Sequence, residues 1–403
     1  MRLKWALTGV AALLALVVLA IGSLFAALWI ERGLPAELPA PTGAFAVGRA
    51  IYDWRDDTTV DTLAPNPGTK REILAWIWYP AVAGASATTD DYIPPPMLAA
   101  AGPAGFPFSF VYRDRSKVHT HSVRNANAPP HQSFPVVILT GPAGPGTSYT
   151  TLAEDLASHG YVVAGIDAPY RSGIVVFPDG RVIRRTDENE LDAYNGEDFR
   201  RVAGRLLTAW TSDMAFALDR LAQLNASDPA GKFTGRLDLT RVGAVGHSFG
   251  GAQAAQFCHD DVRCKAAIDI DGGPFGSVVQ EAMQKPLMFL ISMTGSGVPT
   301  DPETRQVAAD IRSIYDRLPP STRLWMFIRG ANHFLYSDDG SVLASHLILR
   351  ILQLFRILKI DGRRQLAITT HCVHTFLDAH LKQASASPLN LSLPLYPELE
   401  VVP

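Results

Sequence analysis

The sequence predicts an α/β fold: a mostly parallel sheet with helices on both faces, behind an N-terminal transmembrane helix. Three observations lead there. Short apolar runs without alternation recur along the chain, as strands buried on both faces require. Helical stretches separate them, the rhythm of a parallel sheet. One run leads directly into a Gly-x-Ser-x-Gly turn followed by small residues, a strand–turn–helix setting.

The first element is the most apolar. Residues 5–30 (WALTGVAALLALVVLAIGSLFAALWI) carry no charge, and a helix needs roughly 20 apolar residues to cross a bilayer core. Arg2 and Lys4 precede the run, while Glu31 and Arg32 follow it. The positive-inside rule then puts the N-terminus in the cytoplasm and the rest of the chain across the membrane, periplasmic or extracellular. A cleavable signal has an apolar region of about 7–15 residues and a small-x-small cleavage site. This run is longer and no such site closes it. Residues 1–32 are therefore expected to be an uncleaved single-pass anchor; the alternative is a cleaved signal, which would leave a secreted protein.

Residues 33–43 read as a Pro-rich linker standing a domain off the membrane. An α/β domain is expected over 44–383, with a tail at 384–403. Within it the strands fall at 71–80, 134–140, 161–166, 241–245, 266–270, 286–292 and 324–328. A short helix closed by glycine is expected at 152–160, and Leu207, Trp210, Met214, Leu218 and Leu221 mark one apolar helical face. Insertions near 90–131 and 171–205 interrupt the rhythm, the second with a hairpin-like VVFPDGRVI. Insertions of this length usually shape an active-site mouth. The apolar helix expected at 347–360 is read as core packing, with a membrane-surface helix as the alternative.

Hydrophobic residues make up 47% of the chain and charged residues 19%, the balance of a folded protein. A net charge of −3 without a basic stripe argues against a nucleic-acid partner. The three cysteines, Cys258, Cys264 and Cys372, are read as small buried hydrophobes. In an oxidising compartment Cys258 and Cys264 are placed to pair, since they flank a helix-to-strand turn.

The chemistry centres on Gly246-His247-Ser248-Phe249-Gly250. Such an elbow is tight, its glycines avoid clashes that a Cβ would create, and it lifts the serine hydroxyl above the sheet edge. The Phe249 amide then opens a helix and faces a developing oxyanion. A serine needs a base, and only His333 follows an expected strand directly, in the loop RGANHFLYSDD. The strand end AAIDIDGG offers Asp271 as the acid, with Asp269, one pleat deeper, as the fallback.

GHSFGGAQAAQF, the DIDGG strand end and the IRGANHFLYSD loop together resemble the platelet-activating-factor acetylhydrolase family and its bacterial α/β-hydrolase relatives. LASHGYVVAGIDAPYRS, IWYPA and DGRRQLAITTHCVHTFLDAHL extend the resemblance to roughly 43–381. It implies an α/β-hydrolase fold and hydrolysis of esters of short or oxidised acyl chains, notably at the sn-2 position of phospholipids, without metal or organic cofactor. The alternatives are a hydrolase of polyester or xenobiotic esters and a catalytically degenerate membrane-tethered binding protein. The family pattern sets the acid 23 residues after the serine, which selects Asp271. It also expects a His-Gly-x-Gly-like turn donating a second oxyanion amide. Here the turn reads Thr140-Gly141-Pro142-Ala143-Gly144-Pro145-Gly146; proline has no N–H, so Ala143 is the expected donor. The pairs His119/His121 and His371/His374 have ligand-like spacing without an evident carboxylate partner, and no metal site is expected.

Overall fold

The computed structural model describes residues 2–82, 84, 88–102, 108–142, 146–293, 302–384 and 395–402. In chain order its helices are α1 (Arg2–Arg32), α2 (Pro95–Ala101), α3 (Phe108–Val111), α4 (Thr150–Ser158), α5 (Gly196–Ala226), α6 (Phe249–Asp260), α7 (Pro302–Arg317), α8 (His346–Leu354) and α9 (Gly362–Leu381). The strands are β1 (Ala36–Glu37), β2 (Ala46–Val60), β3 (Lys70–Ala81), β4 (Thr89–Asp91), β5 (Val118–Arg124), β6 (Phe134–Thr140) and β7 (Val162–Asp167). Then follow β8 (Ile174–Val176), β9 (Val182–Arg184), β10 (Leu237–His247), β11 (Cys264–Ile270), β12 (Leu287–Met293), β13 (Arg323–Arg329) and β14 (Leu399–Val401).

Among the described residues, twelve strands make one sheet in the order β1-β5-β2-β3-β7-β6-β10-β11-β12-β13-β14, with β4 beside β5. From β7 to β13 every pairing is parallel. All seven residues of β6 are buried, as its unbroken apolar run requires. On one face lie Leu152 and Leu156 of α4 with Ile368, Val373 and Phe376 of α9. On the other lie Trp210, Met214 and Leu218 of α5, Phe257 of α6 and Ile314 of α7. Each such side chain contributes about 1.5–3 kcal/mol by leaving water. This is the expected α/β-hydrolase architecture.

Four details depart from the sequence reading. The supposed linker is part of the domain: β1 pairs with β5, and Ala36 and Leu38 are buried. Part of the 90–131 insertion is structural, since β5 also pairs with β2. The tail returns as β14 along β13. Cys258 and Cys264 form a disulfide, while Cys372 is free and buried; the favoured reading of three free cysteines is corrected.

Residues Leu7–Arg32 form a helix long and apolar enough to cross a membrane, with its most apolar window unburied. Its C-terminal end is fastened to the domain. The Glu31 carboxylate accepts the His346 amide at 2.7 Å and the Ser345 hydroxyl, so it caps α8. Arg113 donates to the carbonyls of Glu31 and Leu34. No residue of α8 is fully buried, and Leu354, Phe355 and Ile357 are 78%, 71% and 65% exposed. Core packing, the favoured reading of that segment, therefore holds only in part: Leu358 and Ile360 are buried and Leu349 and Leu352 pack against the core, while Leu354, Phe355 and Ile357 face outward.

Candidate active site

The elbow follows β10, in the middle of the sheet. Ser248 has φ 58° and ψ −129°, a region that non-glycine residues seldom occupy. Its amide donates to the Ile270 carbonyl at 2.8 Å, fastening the turn to β11. The glycines are obligatory here. A Cβ on Gly246 would stand 1.9 Å from the Gly250 carbonyl oxygen, and one on Gly250 would stand 2.8 Å from the Thr140 oxygen. Phe249 is the first residue of α6, so its amide has no acceptor within the helix.

Ser248, His333 and Asp271 come together. His333 Nε2 lies 3.1 Å from Ser248 Oγ, and His333 Nδ1 lies 2.8 Å from Asp271 Oδ2. The Asp271 side chain is 7% exposed and that of His333 40%. Burial alone would push the Asp271 carboxyl up. Hydrogen bonds from His333 and from the Ser292 amide and hydroxyl outweigh it and hold the group below the usual carboxylate range. Asp271 therefore stays ionised against the imidazole.

Asp269 points elsewhere. It is fully buried, and a Cβ on Gly251 would sit 1.9 Å from its Oδ1. It packs behind the elbow, accepts the Gly272 amide at 2.8 Å, and burial pushes its carboxyl up to about 8. The aspartate facing His333 is Asp271.

Several supporting residues escaped the sequence reading. Gln365 of α9 holds both backbone groups of Asn332, accepting its N–H at 3.0 Å and donating to its carbonyl at 2.9 Å. The residue before His333 is thereby fixed. His247 is buried behind His333, with ring centroids 4.7 Å apart and its Nδ1 2.9 Å from the Tyr149 hydroxyl. Burial, then the His333 charge, lowers its imidazole to about 3, so it is neutral. Asp167, at the end of β7, accepts the Gly146 amide at 2.6 Å and the Trp76 indole at 2.8 Å; burial raises it to about 7. His247 and Asp167 stood in quoted motifs, but no spacing rule marked them.

The turn after β6 begins Gly141-Pro142, and Ala143, the expected second donor, lies outside the described residues. A cavity of about 340 Å³ lined by Arg49, Trp76, Asp90, Met97 and Phe177 includes none of Ser248, Asp271 or His333. The nearby aromatic surface is instead Phe334, 73% exposed beside His333, with Phe275 packed on Phe199. The 171–205 insertion thus reaches the loop that follows Asp271. His374, expected without a carboxylate, meets Asp155 of α4.

This geometry has a family. The model of the family described as platelet-activating factor acetylhydrolase, isoform II, matches residues 38–387. The chain belongs to that family. A probable 1-alkyl-2-acetylglycerophosphocholine esterase of Arthroderma benhamiae is 26% identical over 65% of this chain and 66% of its own length. A platelet-activating factor acetylhydrolase of Cavia porcellus is 24% identical over 54% of this chain and 52% of its own. The match thus spans half to two thirds of these relatives. Among solved structures, a ferulic acid esterase from Streptomyces cinnamoneus superposes with a TM-score of 0.72 at 25% identity, covering 92% of this chain and all of that one. This esterase and the chain thus share one α/β-hydrolase frame.

Proposed function

We propose that the chain is a serine esterase that hydrolyses short or oxidised acyl esters of phospholipids through an acyl-enzyme on Ser248. The observation that carries this is the unbroken Ser248–His333–Asp271 relay. Ser248 Oγ attacks the ester carbonyl while His333 Nε2 takes its proton. The Phe249 amide stabilises the oxyanion, with Ala143 as the second donor. His333 returns the proton to the leaving alcohol. Water then attacks the acyl-enzyme, its proton passing to His333, and Ser248 is restored as the acid leaves. Asp271 keeps the imidazole in the required tautomer and balances its positive charge.

Residues 1–32 anchor the enzyme in this reading, with the catalytic domain that follows, from β1 to β14, on the far side of the membrane. The cations Arg2 and Lys4 and the Cys258–Cys264 disulfide support that side. The likeness to a ferulic acid esterase favours a second reading, a soluble non-lipid ester as substrate.

A chain-length series of nitrophenyl esters, a feruloyl ester and phospholipid vesicles carrying short sn-2 acyl groups tests both. The lipid reading expects vesicle turnover that falls at least about 10³-fold in Ser248→Ala. Turnover of the feruloyl ester with none on vesicles would replace it with the second reading.

A further inference from the structure

Apart from the triad, two helices bring three ligand-type side chains together. Asp155 stands on α4, His159 ends that helix four residues later, and His374 stands on α9. One ligand atom from each lies within 4.8 Å of the other two. Asp155 Oδ2 is 3.2 Å from His374 Nδ1 and 3.9 Å from His159 Nε2. Tetrahedral zinc ligands at 2.0–2.2 Å from the metal stand about 3.4 Å apart. The three atoms thus nearly frame an ion, and the His159 ring, whose Nε2 lies 2.8 Å from the Thr42 hydroxyl, turns from that oxygen to complete the spacing.

The surroundings orient the carboxylate. Asp155 is buried, and its Oδ1 accepts both the amide of Thr42 at 2.9 Å and its hydroxyl at 2.7 Å, which leaves Oδ2 for the histidines. The His159 and His374 rings stack at 4.1 Å, and His371 meets His374 edge-on at 5.2 Å. The nearby cation is balanced: Lys382 Nζ, on the His159 carbonyl at 2.6 Å, is paired with Asp378 at 2.9 Å.

We propose that Asp155, His159 and His374 form a zinc-type metal site with water in the fourth position. Two imidazoles and one carboxylate suit zinc rather than calcium or magnesium. Each histidine ligates by carrying its proton on the other ring nitrogen, so His159 gives up the hydrogen bond between its Nε2 and the Thr42 hydroxyl when it binds the ion. The role is structural. The ion joins the segment around Thr42, which follows the anchor, to α4 and to α9, whose Gln365 holds the residue before His333.

The test uses the full chain in detergent, stripped with a chelator, supplied with zinc and desalted. Elemental mass spectrometry is expected to find about one zinc per chain, and the melting temperature to rise with zinc. His374→Ala and His159→Ala are expected to lose both effects. His374→Ala leaves the Thr42–Asp155 bonds in place, and circular dichroism checks its fold. Ser248→Ala and His333→Ala are expected to retain the zinc, which separates this site from an ion caught by the triad. Wild type holding no more zinc than the His159→Ala/His374→Ala double variant would overturn the proposal. So would zinc that is lost only with His333.

Discussion

Ser248 adopts a backbone conformation that costs on the order of 1–3 kcal/mol, and the two strand ends beside it sustain that cost. Its amide is held by Ile270, and its hydroxyl meets an imidazole already oriented by Asp271. The two neighbouring aspartates have opposite environments. Asp271 is ionised by its partners, whereas Asp269 has only the Gly272 amide and is pushed up to about 8. Asp271→Asn removes the partner that fixes the tautomer and should lower kcat by about 10⁴. Asp269→Asn mimics the protonated acid and should keep most activity. Its sign with pH is distinct. A carboxyl raised in the folded state contributes stability that is whole below about 4 and is lost as pH rises towards about 8. The Asn variant should therefore gain stability relative to wild type across that interval, measured by denaturant unfolding at a series of pH values. A wild-type-like pH slope in Asp269→Asn would contradict the assignment. Sequence alone could rank these aspartates by their distance from the strand end and by the spacing from Ser248 that the family resemblance implies, but not by their environments. Their difference lies in Ser292 and Gly251, which fold against them from elsewhere.

At the scale of elements, β6 was legible because nothing in FPVVILT is polar until its last residue, and the helix through Trp210 because its apolar face repeats. β2 was not legible, because AVGRAIYDWRDDTTV mixes charges with buried positions. The disulfide stood as one of two readings because redox state is not a sequence property, and the carboxylate beside His374 was hidden because Asp155 lies 219 residues before its partner. α9 has a direct catalytic consequence. Its Gln365 replaces the backbone partners that a loop residue lacks. Gln365→Ala leaves both Asn332 groups unpaired and should lower kcat about tenfold or more with little change in KM, because a displaced base harms the reaction more than binding. A change in KM alone would show that the loop is held by something else. The second oxyanion donor stayed uncertain in the sequence because Pro142 breaks the usual turn, and losing one donor costs about 2.7–4 kcal/mol.

For the whole molecule, α1 is joined to the domain rather than trailing from it. Glu31 caps α8, and Phe25 and Trp29 pack on Phe110 at 5.1 and 5.8 Å. In the anchored reading this turns the exposed Leu354, Phe355 and Ile357 towards the same bilayer. Replacing these three by serine should reduce turnover of vesicle substrate several-fold while leaving a soluble nitrophenyl ester unaffected, since each apolar side chain inserted is worth about 1.5–3 kcal/mol. Equal loss on both substrates would place these residues in folding instead. All of this depends on the chemistry of one hydroxyl. The most direct measurement is labelling of the full chain by a fluorophosphonate probe, with the adduct located by peptide mass spectrometry. The account predicts one adduct, on Ser248, absent in Ser248→Ala and slowed by orders of magnitude in His333→Ala. Labelling of Ser248→Ala at the wild-type rate, or an adduct on another residue, would contradict it.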